Sequence, residues 1–370
     1  MKTRAAVVYE PGERIQVEEL DLDGPRDGEV LIRYTHAGLC HSDLHIAHGD
    51  MEARMPMVLG HEGAGIVEEV GPGVTRVAPG DHVVCSFIPN CGTCRYCATG
   101  RQSICDWGAM IPEGCLPGGR FPFTGPGGRY GGMSMLGTFS QYGVIHQNSA
   151  VRVDEDLPLD KAVLVGCGVP TGWGSAVYAA KVAPGDTVAV YGVGGVGINA
   201  VQGARYAGAR NVIAIDPLEN KREKAMELGA THALATAEEA QQAITEMTLG
   251  RGADSAILTV GLMKPQVVAA GFNVIGKGGV VVVTGLNKMM EPTIQLPGSI
   301  LTLFRKTVKG TLFGDCNPTY DIPKLLGLYR SGDLKLDELI TRTYTLDQVN
   351  EGYDDLLAGK NVRGVIVHQH

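Results

Sequence analysis

Hydrophobic positions follow two different patterns along the chain, and the change falls near residue 170. Before it lie short β-like runs at residues 29–34, 65–70 and 81–85. Turn residues such as Gly71-Pro72-Gly73 and Pro79-Gly80 punctuate them. That texture predicts a β-rich, irregular domain. Beyond residue 170 the apolar runs are continuous: 187–191, 211–216, 255–260 and 279–284. They alternate with segments of helical pattern, which predicts a parallel sheet buried between helices. The C-terminal stretch offers one helix over 322–329 and a strand over 363–367, and it could return to the first domain. Between Asp106 and Phe139 the periodicity disappears among ten glycines and four prolines. So long an irregular stretch reads either as a floppy surface insertion or as a lid over a cofactor.

Length agrees with two domains, since 370 residues exceed one ordinary core. A net charge of −8 speaks against a general nucleic-acid binder. No apolar run reaches the length of a membrane span, and the first residues show no secretory h-region. Nine cysteines, an odd number, fit a reducing, cytoplasmic setting with metal-bound thiolates.

Three groups of residues carry candidate chemistry. Cys91, Cys94, Cys97 and Cys105 follow C-x2-C-x2-C-x7-C. Four thiolates on so short a loop can close a tetrahedral shell around a structural zinc. Disulfides and an iron–sulfur cluster remain open on spacing alone. Gly192-Val193-Gly194-Gly195-Val196-Gly197 fits G-x-G-x-x-G, follows a strand, opens a helix and precedes Asp216 by nineteen residues. In that setting it is a dinucleotide fingerprint, with the pyrophosphate at the helix N-terminus and Asp216 on the adenosine ribose. A carboxylate there repels a 2′-phosphate, so NAD is expected over NADP. Cys40, His61 and Cys167 offer two thiolates and an imidazole, the donor chemistry of a catalytic zinc with an open fourth position. They are far apart in the chain, and each alone also reads as an ordinary packed residue. Cys85, Cys115 and Cys316 read as buried thiols, and His36, His82 and His146 as surface or packed histidines.

The segment Gly60-His61-Glu62-x2-Gly65-x5-Gly71-x2-Val74 resembles the signature of the zinc-containing alcohol dehydrogenases of the medium-chain dehydrogenase/reductase superfamily. The four-cysteine loop, the ligand motifs and the glycine turn follow in that family's order, and the likeness covers nearly the whole chain. It implies an α/β protein with a GroES-like β-rich catalytic domain over 1–168, to which 313–370 returns. A Rossmann doubly wound NAD-binding domain occupies 169–312. It also implies two zinc ions per subunit, one catalytic on Cys40, His61 and Cys167 and one structural on the four-cysteine loop. By the same resemblance Glu62 is the acid beside the metal, and Asp43 orients the imidazole of His61. Ser42 and His45 relay the alcohol proton by way of the nicotinamide ribose. His41, Thr171, Lys221 and Arg363 join Gly192, Gly194, Gly195, Val196, Gly197 and Asp216 at the cofactor. Met51, Phe87 and Leu312 line the alcohol pocket.

Two departures stand out. His41 occupies the place where many relatives put an arginine, and the 106–139 insertion is long. The insertion resembles the actinobacterial nicotinoprotein branch, which keeps NAD(H) bound and hands electrons to an external acceptor such as a nitrosoaniline dye. The implied activity is reversible oxidation of small alcohols to aldehydes or ketones by a homodimer or homotetramer. Two alternatives are a thiol-adduct formaldehyde dehydrogenase, with Arg120 as a donor to the thiol cofactor's carboxylate, and a non-catalytic NAD-sensing or structural protein.

Overall fold

A computed structural model describes residues 1–292 and 294–370. The chain divides into two compact units. The first comprises Met1–Cys167, Asn317–Ser331 and Leu336–His370; the second comprises Gly168–Cys316 and Gly332–Lys335.

The first unit holds two β-layers. One is a closed five-stranded barrel in the order Lys2–Val8, Gln16–Leu22, Phe123–Gly125, Gly128–Gly132, Met57–Val58. Its interior is filled by Ala5, Val7, Leu20, Leu22, Val58, Phe123 and Tyr130. The glycine-rich segment therefore supplies two barrel strands, and Phe123 pairs with Leu22 while Gly131 pairs with Met57. Residues 123–132 of the 106–139 stretch are therefore ordered barrel strands and not a floppy surface insertion. The glycines reflect crowding rather than looseness. A Cβ on Gly125 would stand 2.6 Å from the Tyr130 ring, and one on Gly114 would stand 2.8 Å from the Gly132 carbonyl oxygen. Strands of three and five residues are too short to show a period, which is why the pattern failed there.

The other layer is a seven-stranded sheet. Its path runs Ala150–Arg152, His82–Cys85, Glu62–Val70, Glu29–Gly38, Arg363–Val367, Ile340–Tyr344, with Tyr142–His146 also on Glu29–Gly38. The ten-residue central strand changes partner along its length: Glu29–Arg33 meets Tyr142–His146, and His36–Gly38 meets Val365–Val367 antiparallel. On its other side Gly38 pairs with Glu62. One end of this sheet thus gathers Gly38, Glu62 and the strand beginning at Arg363. Gly38 has to lack a side chain, because its Cβ would meet Glu62 Oε2 at 2.2 Å and Arg363 Nη2 at 2.9 Å.

The second unit is a six-stranded, all-parallel sheet in the order His232–Leu234, Asn211–Ile215, Thr187–Tyr191, Ala253–Leu258, Ile275–Val283, Thr307–Gly310. This is the doubly wound order 3-2-1-4-5-6, in which the strand order, not the strand direction, reverses beside the first strand. All five residues of Thr187–Tyr191 are buried, as continuous apolar runs require when helices cover both faces. Among the described residues no single helix is long and apolar enough to cross a membrane.

Candidate active site

At that end of the seven-stranded sheet, four donors converge. The helix His41–Ala47 starts from Cys40 as its N-cap, and His61 directly precedes the strand Glu62–Val70. Cys167 follows the tight turn Val163–Gly166. The donor atoms of Cys40, His61, Glu62 and Cys167 all lie within 4.8 Å of one another, and all four residues are buried. Asp43, fully buried on the helix, accepts from His61 Nδ1 at 2.9 Å with one oxygen and from the Cys40 amide at 3.1 Å with the other. That bond fixes the hydrogen on Nδ1 and presents the Nε2 lone pair to the cluster. His61 Nε2 and Glu62 Oε1 are both buried without a hydrogen-bond partner. Leaving such atoms unsatisfied costs about 1–3 kcal/mol each. Two soft thiols, an imidazole lone pair and a carboxylate oxygen, all unsatisfied or crowded, fit zinc.

The electrostatics agree. Hydrogen bonding with Cys167 holds the Cys40 thiol well below its ordinary value against the opposing effect of burial, while the same bond and burial hold Cys167 well above. The pair is thus poised to give one thiolate, and a cation draws out the second. Burial would depress His61, yet the Asp43 carboxylate keeps it well above its usual value, so a cation binding at Nε2 would have to displace a proton there. Burial pushes Glu62 up to about 7, opposed by the Arg363 guanidinium. Arg363 and Glu62 form a buried ion pair across 301 positions of sequence. That pairing was not visible in the sequence, where Arg363 was expected at the cofactor.

Of the remaining expected residues of the first unit, Ser42 and Phe87 touch this cluster. The Ser42 hydroxyl is 3.6 Å from the Cys40 sulfur. His45, buried on the same helix, meets Asp50 through Nδ1 at 3.0 Å, a partner that sequence reasoning missed. Phe87 stands edge-on to the His61 ring at 5.7 Å. Met51 packs against the hydrophobic core around Leu44 and Ile46, so it has a packing role, and His41 is exposed.

The four-cysteine loop also closes on itself. Its sulfurs lie within 4.8 Å of one another, with Cys91 and Cys97 4.0 Å apart. A tetrahedral zinc–thiolate shell with bonds near 2.3 Å has edges of about 3.8 Å, so the loop fits the ion as it stands. The amides of Cys94, Cys97 and Cys91 donate to the sulfurs of Cys91, Cys94 and Cys105 at 3.2–3.4 Å. Burial would raise Cys91, but hydrogen bonds from the Cys94 amide, the Thr93 amide and hydroxyl and the Cys105 thiol bring it down to about 6. No disulfide forms among the described cysteines, and Cys85, Cys115 and Cys316 are buried and belong to neither cluster.

In the second unit the glycine turn links the strand Thr187–Tyr191 to the helix Gly197–Tyr206, with Val196 as N-cap. Gly192 adopts φ +82°, and a Cβ on Gly197 would strike the Gly192 carbonyl at 1.8 Å. Gly194 faces open space, with the Lys221 ammonium 3.8 Å from where its Cβ would stand. Asp216 is buried at the end of the next strand, accepting from the Val193 amide and the Leu218 amide, both at 3.0 Å. This glycine cradle, with the Lys221 ammonium beside it and the Asp216 carboxylate across from it, fits a dinucleotide. Thr171 lies on the helix Gly168–Gly174, and Leu312, 44% exposed, lies just beyond the strand Thr307–Gly310.

Residues 26–155 match the alcohol dehydrogenase GroES-like domain, and residues 195–331 match the zinc-binding dehydrogenase domain. The chain is 63% identical over 368 residues to the NDMA-dependent alcohol dehydrogenase of Amycolatopsis methanolica, covering 100% of this chain and 99% of that one. The chain belongs to the zinc-containing alcohol dehydrogenases. A putative alcohol dehydrogenase D of Mycobacterium tuberculosis is 60% identical over the full length of both chains. Among solved structures, benzyl alcohol dehydrogenase from Acinetobacter calcoaceticus superposes with a TM-score of 0.93 at 31% identity, each chain covered in full. The chain is therefore an NAD-dependent zinc alcohol dehydrogenase with a GroES-like and a Rossmann-like domain. The formaldehyde alternative loses its basic donor, because the Arg120 side chain is spent on Glu29, Asp23 and the Gly24 carbonyl. The non-catalytic alternative is not favoured either, because the four candidate zinc donors converge and Ser42 lies beside Cys40.

Proposed function

We propose that this dehydrogenase keeps NAD(H) bound through turnover and passes electrons to an external acceptor. The 63% identity to an NDMA-dependent enzyme over the whole chain supports that reading. In it, the first unit is catalytic and the second holds the cofactor. Cys40, His61 and Cys167 would hold a catalytic zinc, with Glu62 within reach as a further donor. Cys91, Cys94, Cys97 and Cys105 hold a structural zinc. The observation that carries the assignment is the orphaned, buried His61 Nε2 among two thiols and a carboxylate.

When bound, the metal supplies Lewis acidity to an alcohol oxygen, and the nicotinamide accepts a hydride. The chain does the rest. Ser42, beside Cys40, accepts the hydroxyl proton, and His45 passes it to solvent. Asp43 holds His61 in the ligating tautomer. Arg363 neutralises Glu62 whenever that carboxylate is not a ligand. Phe87 excludes water from the His61 side. The glycine turn and Asp216 hold the dinucleotide, with His41, Thr171 and Lys221 as further contacts.

A homo-oligomer is supported by the outer edge of the six-stranded sheet. Thr307–Gly310 is an edge strand, and Met290 (89% exposed) and Leu303 (75%) lie in the segment leading to it. Apolar side chains beside an open edge favour pairing with a second copy. Sedimentation would show a monomer if that reading were wrong.

The test of the bound cofactor is to dialyse the purified protein extensively, denature it and assay the released NAD(H). One equivalent per chain supports the proposal. An empty protein that oxidises alcohols only with added NAD overturns it.

A further inference from the structure

The helix that carries Cys40, Ser42, Asp43 and His45 ends in an unusually fixed turn. The amides of Asp50 and Met51 both donate back to the His45 carbonyl, at 2.8 and 3.1 Å. Gly49 makes the return possible with φ +77°, and a side chain there would strike Pro11. The Gly12 amide ties the same turn to the Ala47 carbonyl at 2.7 Å. The outcome is that the Asp50 carboxylate meets His45 Nδ1 at 3.0 Å. The His45 side chain is 9% exposed and the Asp50 side chain 18%, so the pair lies at the boundary between core and solvent.

An ionised carboxylate only accepts hydrogen bonds, so His45 Nδ1 carries the hydrogen in this pair. The neutral ring is then the Nδ1–H tautomer, and its basic nitrogen is Nε2. We propose that Asp50 is a positioning residue for the proton-accepting step, rather than a mere helix cap. It holds His45 with Nε2 ready for the proton released from the alcohol. Once Nε2 is protonated, it neutralises the imidazolium until solvent removes a proton. The same logic makes a buried carboxylate behind an imidazole effective in other general bases. The inference rests on the reading of Ser42 and His45 as the proton path.

The experiment compares full-length, zinc-loaded Asp50→Asn, Asp50→Glu, His45→Gln and the Asp50→Asn/His45→Gln double variant in steady-state alcohol oxidation in H2O and D2O. Asp50→Asn is expected to lower kcat by roughly tenfold, a modest share of general-base catalysis, with alcohol KM, zinc content and bound NAD(H) unchanged. Its solvent isotope effect on kcat should rise as proton removal becomes limiting. Asp50→Glu should restore most of the rate. The double variant should be no slower than His45→Gln alone, because two residues acting through one step are not additive. A wild-type kcat in Asp50→Asn alongside a slow His45→Gln would overturn the role of Asp50 and leave the proton path standing. A wild-type rate in His45→Gln would overturn the path itself, and Asp50 with it. Additive losses in the double variant, or a folded Asp50→Glu that recovers nothing, would also overturn the proposal.

Discussion

Asp43→Asn tests the catalytic metal site at its most constrained point. The carboxylate is fully buried and accepts twice, from His61 Nδ1 at 2.9 Å and from the Cys40 amide at 3.1 Å. An asparagine of the same shape offers one acceptor and one donor. If its oxygen serves the Cys40 amide, its NH2 faces His61 Nδ1. The ring must then carry its hydrogen on Nε2, the atom aimed at the cluster, and cannot ligate. If its oxygen serves His61, two donors confront each other at Cys40, at about 1–3 kcal/mol. Either outcome weakens zinc by roughly 10–100-fold, the usual effect of losing a partner behind a metal-binding histidine. At about 1.4 kcal/mol per decade, that is about 1.4–2.7 kcal/mol. The assay is zinc retention against a graded chelator, with the four-cysteine site as an internal reference that should keep its ion. Activity should fall with the first ion and return on adding excess zinc. An unchanged chelator midpoint for both ions would refute the argument that Asp43 sets the His61 tautomer.

Three further outcomes are expected. Phe123→Ala removes a ring from the barrel interior contributed by the glycine-rich segment, and should lower unfolding stability by about 3–5 kcal/mol; a shift below 1 kcal/mol in urea unfolding would mean the segment is not part of the core. Cys91→Ser should release one zinc and lower the melting temperature, and loss of kcat in the remaining folded fraction would contradict a purely structural role. Burial holds His368 down to about 3, with Nε2–H donating to the Thr138 carbonyl at 3.0 Å and Nδ1 buried without a partner. From about pH 6.5 down to 3 the unfolded chain therefore binds a proton that the folded chain refuses. Stability from this group is present above 6.5 and falls as pH falls, by about 2 kcal/mol between pH 7 and 5. His368→Gln should flatten that part of the curve, and an identical slope in the variant would show the group is not responsible.

Much of this was readable before any coordinates. The run 187–191 coincides with the strand Thr187–Tyr191, and 211–216 exceeds Asn211–Ile215 by one residue, because strands buried on both faces must be continuously apolar. The helix expected at 322–329 runs further, from Pro318 to Ser331. The short strands of residues 106–139 were not readable, since three to five residues rich in glycine carry no period. Local chemistry was legible where spacing encodes it, as in the four-cysteine loop and the glycine turn. The bond from His45 to Asp50 was not, although only five residues separate them. It depends on a left-handed Gly49 and on the clasp of residues 11 and 12, neither of which leaves a sequence pattern.

The sequence by itself determined the kinds of donor, the spacing of the four-cysteine loop and the glycine cradle, because each is encoded within a short stretch of chain. Tertiary structure decided the rest. Pairing of Gly38 with Glu62, and of the same strand end with residues 365–367, brings Glu62 against Arg363 from 301 positions away. The helix beginning at Cys40 sets Asp43 behind His61. Burial then turns ordinary thiols, a histidine and a carboxylate into a cluster with two unsatisfied buried atoms whose chemistry suits a cation. Long-range strand register and exclusion of water produce that outcome, and neither is written in the local order of residues.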